Sequence, residues 1–139
     1  MSFRIALCVA LGLTSACRSQ ESRALEAETA RVSRAIDAVR NAPNAGKAPL
    51  LRALESEPCA QPPACELKGL CVRAYSRHVD SLTASERAKL LLDAPDGGTE
   101  AALAAASAVN EAEAALSEAQ RLTEACTAAQ GELRRKLKP

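Results

Sequence analysis

From Thr99 to Leu137 the chain contains no proline, and residues that are apolar or small recur every three or four positions. They are Ala102, Ala105, Val109, Ala112, Leu116, Ala119, Leu122, Cys126, Ala129 and Leu133. That spacing marks one face of a helix. At 1.5 Å per residue the helix would extend about 58 Å, longer than a compact domain of this size needs. Such a rod has to lie along another helix. An antiparallel hairpin within the chain is the plainer expectation, with a coiled coil between chains as the alternative. Alanine at most seam positions lets the facing helix come close.

The rest of the sequence supports the same fold class. Breaks fall at "NAPNAGKAP" (Asn41 to Pro49), "EPCAQPPAC" (Glu57 to Cys65) and "DAPDGG" (Asp93 to Gly98). Between them stand mainly alanine, leucine, arginine, glutamate and lysine, all strong helix formers. No stretch alternates apolar with polar residues as a half-buried strand would. The expected architecture is all-α, a small disulfide-stapled helical bundle with a long C-terminal helix in an antiparallel hairpin.

Individual helices can be placed from their stripes and end signals. Leu25, Val32, Ile36 and Val39 give Glu21 to Asn41 one apolar stripe. A short helix is expected to start after Pro49, carrying Leu50, Leu51 and Leu54. Another covers Glu66 to about Val79, with Leu67, Leu70, Cys71, Ala74, Tyr75 and His78 along one side. "TASE", Thr83 to Glu86, matches a capping box, which predicts a break near Leu82 and a fresh helix to about Leu92.

The N-terminus reads as an address. A single charge at Arg4 precedes "IALCVALGL", Ile5 to Leu13, and then the small residues Thr14, Ser15 and Ala16. A charged start, a short apolar stretch and a small-residue exit form a secretory signal, since a spanning helix needs roughly 20 apolar residues. Residues 1–16 are expected to be removed on export. "LTSAC", Leu13 to Cys17, resembles the lipobox of bacterial lipoproteins, although the leucine stands four places before the cysteine instead of the usual three. The alternative is ordinary signal cleavage after Ala16, leaving Cys17 as a free thiol.

The resemblance implies that Cys17 is acylated (a palmitate-type modification) and becomes the first residue of the mature chain. Two or more acyl chains give stable anchoring, at about 0.8 kcal/mol per buried methylene. It also implies localisation in the cell envelope, anchored by lipid to a membrane it does not cross. Arg18, where an aspartate often signals retention at the inner membrane, points to the outer membrane, facing the periplasm. Residues 17–21 then form the lipidated N-terminus and a short tether, and residues 22–139 the helical domain.

Removal of the leader leaves the mature chain electrically balanced. Of 18 basic residues only Arg4 is lost, so 17 face 17 acidic ones, which gives no general attraction to nucleic acid or anionic lipid. Phe3 is also lost, leaving Tyr75 as the one aromatic residue. Sugar-binding and base-stacking surfaces need several aromatic faces, and this chain lacks them.

With Cys17 acylated, Cys59, Cys65, Cys71 and Cys126 remain, an even number in an oxidising compartment, which predicts two disulfides. If the helices before and after "PDGG" pack antiparallel, facing positions share a midpoint near residue 96. Cys65 with Cys126 fits that register best, leaving Cys59 with Cys71, while Cys71 with Cys126 needs a shifted one. The rival reading is a periplasmic small-ligand or metal-binding protein using Cys59, Cys65, Cys71 and His78. Zinc knuckles, however, favour Cys-x2-4-Cys, and the spacing here is wider.

Other chemistries find little support. A nucleophile–base pair needs a third orienting group, and His78, the only histidine, has Asp80 near it only in sequence. No Gly-x-Ser-x-Gly, His-Glu-x-x-His or phosphate loop occurs. Arg134, Arg135, Lys136 and Lys138 complement a helix C-terminus. The expectation is a non-enzymatic envelope lipoprotein without a cofactor or resident metal. It would be a structural or interaction module whose partners are the membrane, through its anchor, and another envelope protein.

Overall fold

The computed structural model describes the backbone of residues 6–94 and 98–137 and the side chains of residues 20–94 and 98–137. Four helices follow in order: α1 (Ala6–Asn41), α2 (Asn44–Ser56), α3 (Pro62–Leu92) and α4 (Gly98–Lys136). Among the described residues there is no strand, and the fold is the all-α bundle expected. The side chain of Cys17, residues 1–5, Pro95 to Gly97, and Lys138 with Pro139 lie outside the described residues.

The ends of the helices have local causes. α1 stops at Asn41, just ahead of Pro43, which offers no N–H and takes an extended conformation (φ −61°, ψ 156°). The C-terminal carbonyls of Val39 and Arg40 both accept from the buried Lys47 Nζ, at 3.1 Å each. A cation thus sits on the negative end of α1. α2 begins at Asn44 and carries Pro49 inside it, instead of starting after it. α3 opens on Pro62 and Pro63, in a first turn whose N–H groups have no helical partner anyway.

The break expected near Leu82 is absent: α3 runs through to Leu92. The hydroxyls of "TASE" do not cap a new helix. Thr83 Oγ1 donates to Val79 O at 3.0 Å and Ser85 Oγ to Ser81 O at 2.8 Å, one turn back in the same helix. A capping box needs an N-terminus to cap, and packing against α4 keeps α3 continuous there. α4 starts at Gly98, whose φ of +51° would strain any side-chain-bearing residue.

The apolar core lies at one end, where all four helices meet. Val32, Ile36 and Val39 of α1 pack with Leu51 and Leu54 of α2, with Leu67, Cys71 and Tyr75 of α3, and with Cys126 of α4. α3 and α4 make the most extensive helix pair, whereas α1 meets α4 only slightly and α2 does not approach α4. Beyond the core, the hairpin of α3 and α4 continues as a two-helix arm. Its seam uses small side chains: Ala84 and Ala88 of α3 and Ala105, Ala108 and Ala112 of α4 are all buried.

That seam is rotated from the expected one. Ala105, Ala112, Ala119 and Cys126 are buried as expected, but Ala108 is also buried while Val109 and Leu116 stay 41% and 38% exposed, and Ala102 is exposed. Alanines between the helices permit close approach, so the larger side chains are left at the edge of the contact. The arm therefore keeps an apolar flank.

Candidate functional site

The cysteines bond differently from the expected pairing. Cys59 joins Cys65, with Cα atoms 5.4 Å apart, and Cys71 joins Cys126, with Cα atoms 5.0 Å apart. The register of the hairpin explains the correction. Arg77 pairs with Glu118 at 2.9 Å and Arg87 with Glu111, contacts whose midpoints fall at residues 97.5 and 99. The midpoint of Cys71 and Cys126 is 98.5, within that range, whereas that of Cys65 and Cys126 is 95.5. With α3 unbroken, the facing register moves toward α4. Cys65 lies near the start of α3 and closes a short loop across Pro62 and Pro63 instead.

A buried carboxylate stands beside that loop. Donor atoms of Glu28, Cys59 and Cys65 lie within 4.8 Å of one another. Both sulfurs are already bonded, so neither offers a thiolate to a metal. Glu28 Oε1 accepts the N–H groups of Ala60 and Gln61 at 2.5 and 3.0 Å. Gln61 caps α3 without a side-chain bond of its own, and the Glu28 carboxylate from α1 supplies negative charge at that helix start.

The residues around His78 do not assemble into a nucleophile–base pair. Cys71 is in a disulfide, Tyr75 Oη accepts from Arg40 Nε at 3.2 Å, and Asp80 pairs with Arg77 at 3.3 Å. His78 Nε2 is buried without a hydrogen-bond partner. Burial, and then the nearby Lys47 charge, push the His78 pKa below its ordinary value of 6.5. The fold thus prefers neutral His78, and the unfolded chain binds the proton more readily. Stability is therefore retained above about pH 6.5 and falls as pH drops from there through the folded pKa. Urea denaturation at pH 7.5 and 5.5 should show that loss, and His78→Gln should flatten it. An unchanged pH dependence in the variant would assign the loss to other groups.

A polar lock that local spacing does not predict joins α1 to α4. Arg40 donates through its two terminal nitrogens to Asp37 Oδ1 (2.9 Å) and Gln130 Oε1 (2.7 Å). Gln130 Nε2 donates to Asp37 Oδ1 at 3.2 Å, and Arg134 donates to Asp37 Oδ2 at 2.8 Å. Burial alone would raise the Asp37 carboxyl, but hydrogen bonds from Arg134 and Gln130, with the charges of Arg134 and Arg40, hold it below the ordinary value. Gln130, 2% exposed, fixes how α1 meets α4. A glutamine on the buried side of α4 was the available signal.

The strongest candidate for contact with another molecule is the flank of the two-helix arm. A groove of about 380 Å³ runs between α3 and α4 there. Ser81, Ala88 and Leu92 form one wall, and Val109, Ala112 and Leu116 the other. Leu92 is 65% exposed. Lys89 and Asp93 on α3 and Glu113 on α4 also line it, so its rim carries both signs of charge. Alanine, valine and leucine make up half of its lining residues, which suits it to packing against another apolar surface.

No protein-family model, curated protein or solved structure matches the chain.

Proposed function

We propose that this protein is a lipid-anchored bacterial envelope lipoprotein, probing its surroundings as an interaction module and not as an enzyme. The observation that carries the interaction reading is the exposed apolar groove on the arm, with Leu92, Val109 and Leu116 left uncovered by α1 and α2. Exposed apolar side chains flanked by charged ones offer a surface against which another protein can pack.

The anchoring half rests on the leader and on "LTSAC". Among the described residues no helix is long and apolar enough to cross a membrane. Gln20 to Ala24 are exposed and burial along α1 becomes substantial only from Glu28, which supports an N-terminal lead that takes no part in the core. The covalent staples suit an oxidising compartment.

The test is chemical. In the native host, the protein should label with an alkyne fatty acid and partition with membranes, and the mature N-terminal peptide should carry the mass of an acylated Cys17. Cys17→Ser should abolish labelling and release the chain from the membrane. Recovery of an unmodified Met1 terminus, with all thiols reduced, would overturn the reading.

A further inference from the structure

We infer that the groove on the α3–α4 arm is covered by the same groove of a second copy of this chain, forming a four-helix arm; this rests on the interaction reading above and names its partner. The argument begins with what the groove leaves undone. Ala88 and Ala112 are buried at the base of its two walls, while Leu92, Val109 and Leu116 beside them keep 65%, 41% and 38% of their surface exposed. Two helices alone cannot enclose those side chains. A second pair of helices can, because small residues alternating with larger ones let two such faces interdigitate.

Charge at the rim selects the partner. Lys89 and Asp93 lie on the α3 wall and Glu113 on the α4 wall, and in the register of the hairpin Lys89 is the nearer of the two to the level of Glu113. A two-fold axis running along the groove lays α3 of each copy over α4 of the other. Lys89 of one copy then meets the wall that carries Glu113 of its partner, and the same contact recurs by symmetry. The Arg87–Glu111 and Arg77–Glu118 pairs are already formed within the chain, across the same hairpin. Among the described residues Lys89 and Glu113 make no ion pair, and they are left for the contact between copies. This axis keeps the copies parallel, with both N-termini at one end, as two chains tethered to one membrane require.

The experiment is sedimentation of the full chain in density-matched detergent, with circular dichroism as a control for folding. The wild type should sediment as a dimer across the micromolar range, and Leu116→Glu should sediment as a folded monomer. Lys89→Glu alone and Glu113→Lys alone each place like charges together twice, weakening self-association about tenfold or more. Mixed one to one, the two variants pair opposite charges at both contacts and should recover the wild-type affinity. That recovery requires an isologous contact between copies, because any other occupant of the groove would leave the mixture no tighter than its components.

A monomeric wild type, or single charge reversals that dimerise as well as the wild type, would overturn the inference and assign the groove to a different protein. A mixture that fails to recover would also overturn this geometry. The Cys17 labelling result stands apart from all of these outcomes, so failure of the dimer is distinguishable from failure of the anchoring reading.

Discussion

Removing the Cys71–Cys126 bond, by the double replacement Cys71→Ala with Cys126→Ala, is expected to lower the unfolding free energy by about 4 kcal/mol. The two cysteines are 55 residues apart, so the bond denies the unfolded chain a long loop's worth of freedom. Cys59 and Cys65 are only 6 apart, and the matching double replacement should cost about 2 kcal/mol. Replacing both members of a pair avoids a free thiol that could exchange with the remaining bond. Urea denaturation of the three proteins measures the difference directly. Equal losses would contradict the loop argument.

The same two bonds should differ in their response to a reductant. Cys71 and Cys126 are fully buried, whereas Cys59 and Cys65 are half-buried. Mild dithiothreitol followed by alkylation and peptide mapping should label Cys59 and Cys65 first, with Cys71 and Cys126 protected until the bundle opens. A peptide joining Cys65 to Cys126 in the untreated protein would refute the connectivity.

Ile36→Ala should cost about 3 kcal/mol, while Leu116→Ala costs under about 1 kcal/mol. Both residues fall on apolar stripes in the sequence, and the contrast lies in what surrounds them. Ile36 has no exposed surface and sits where all four helices converge, so truncation leaves a cavity that the neighbours cannot readily close. Leu116 keeps 38% of its surface exposed at the edge of the arm groove. Its contribution belongs to association, which makes Leu116→Glu suitable for separating binding from folding. A Leu116→Ala loss as large as that of Ile36→Ala would mean that the arm seam is packed through leucine after all.

Much of the architecture was readable residue by residue. Val32, Ile36 and Val39 recur at helical spacing and are buried together, and Leu51 and Leu54 join them as their pattern predicts. The proline and glycine clusters stand where α1, α2 and α3 end. Where reading failed, a local signal competed with a distant contact. "TASE" has the composition of a helix start, yet Thr83 and Ser85 bond back to their own helix because α4 supports α3 along that stretch. Pro49 looked like a first-turn residue and is held inside α2.

The candidate site was less legible. Spacing placed Val109 and Leu116 in the buried seam, because periodicity identifies a face only to within part of a turn. Which edge of that face meets α3 depends on side-chain size across the contact, and alanines win where close approach is possible. Gln130, Asp37 and Arg40 come together from α4 and α1 over separations of some 90 residues, beyond the reach of any local pattern.

Helical content, the turns, the two-disulfide count and the expectation of export came from residue chemistry and short-range spacing, because backbone preferences and punctuation act within a few positions. Sulfur connectivity, the continuity of α3, the α1–α4 polar lock and the exposed flank of the arm were decided only by tertiary packing. A stagger of a few residues between two long helices changes every facing pair at once, and that stagger is set by the sum of contacts along both.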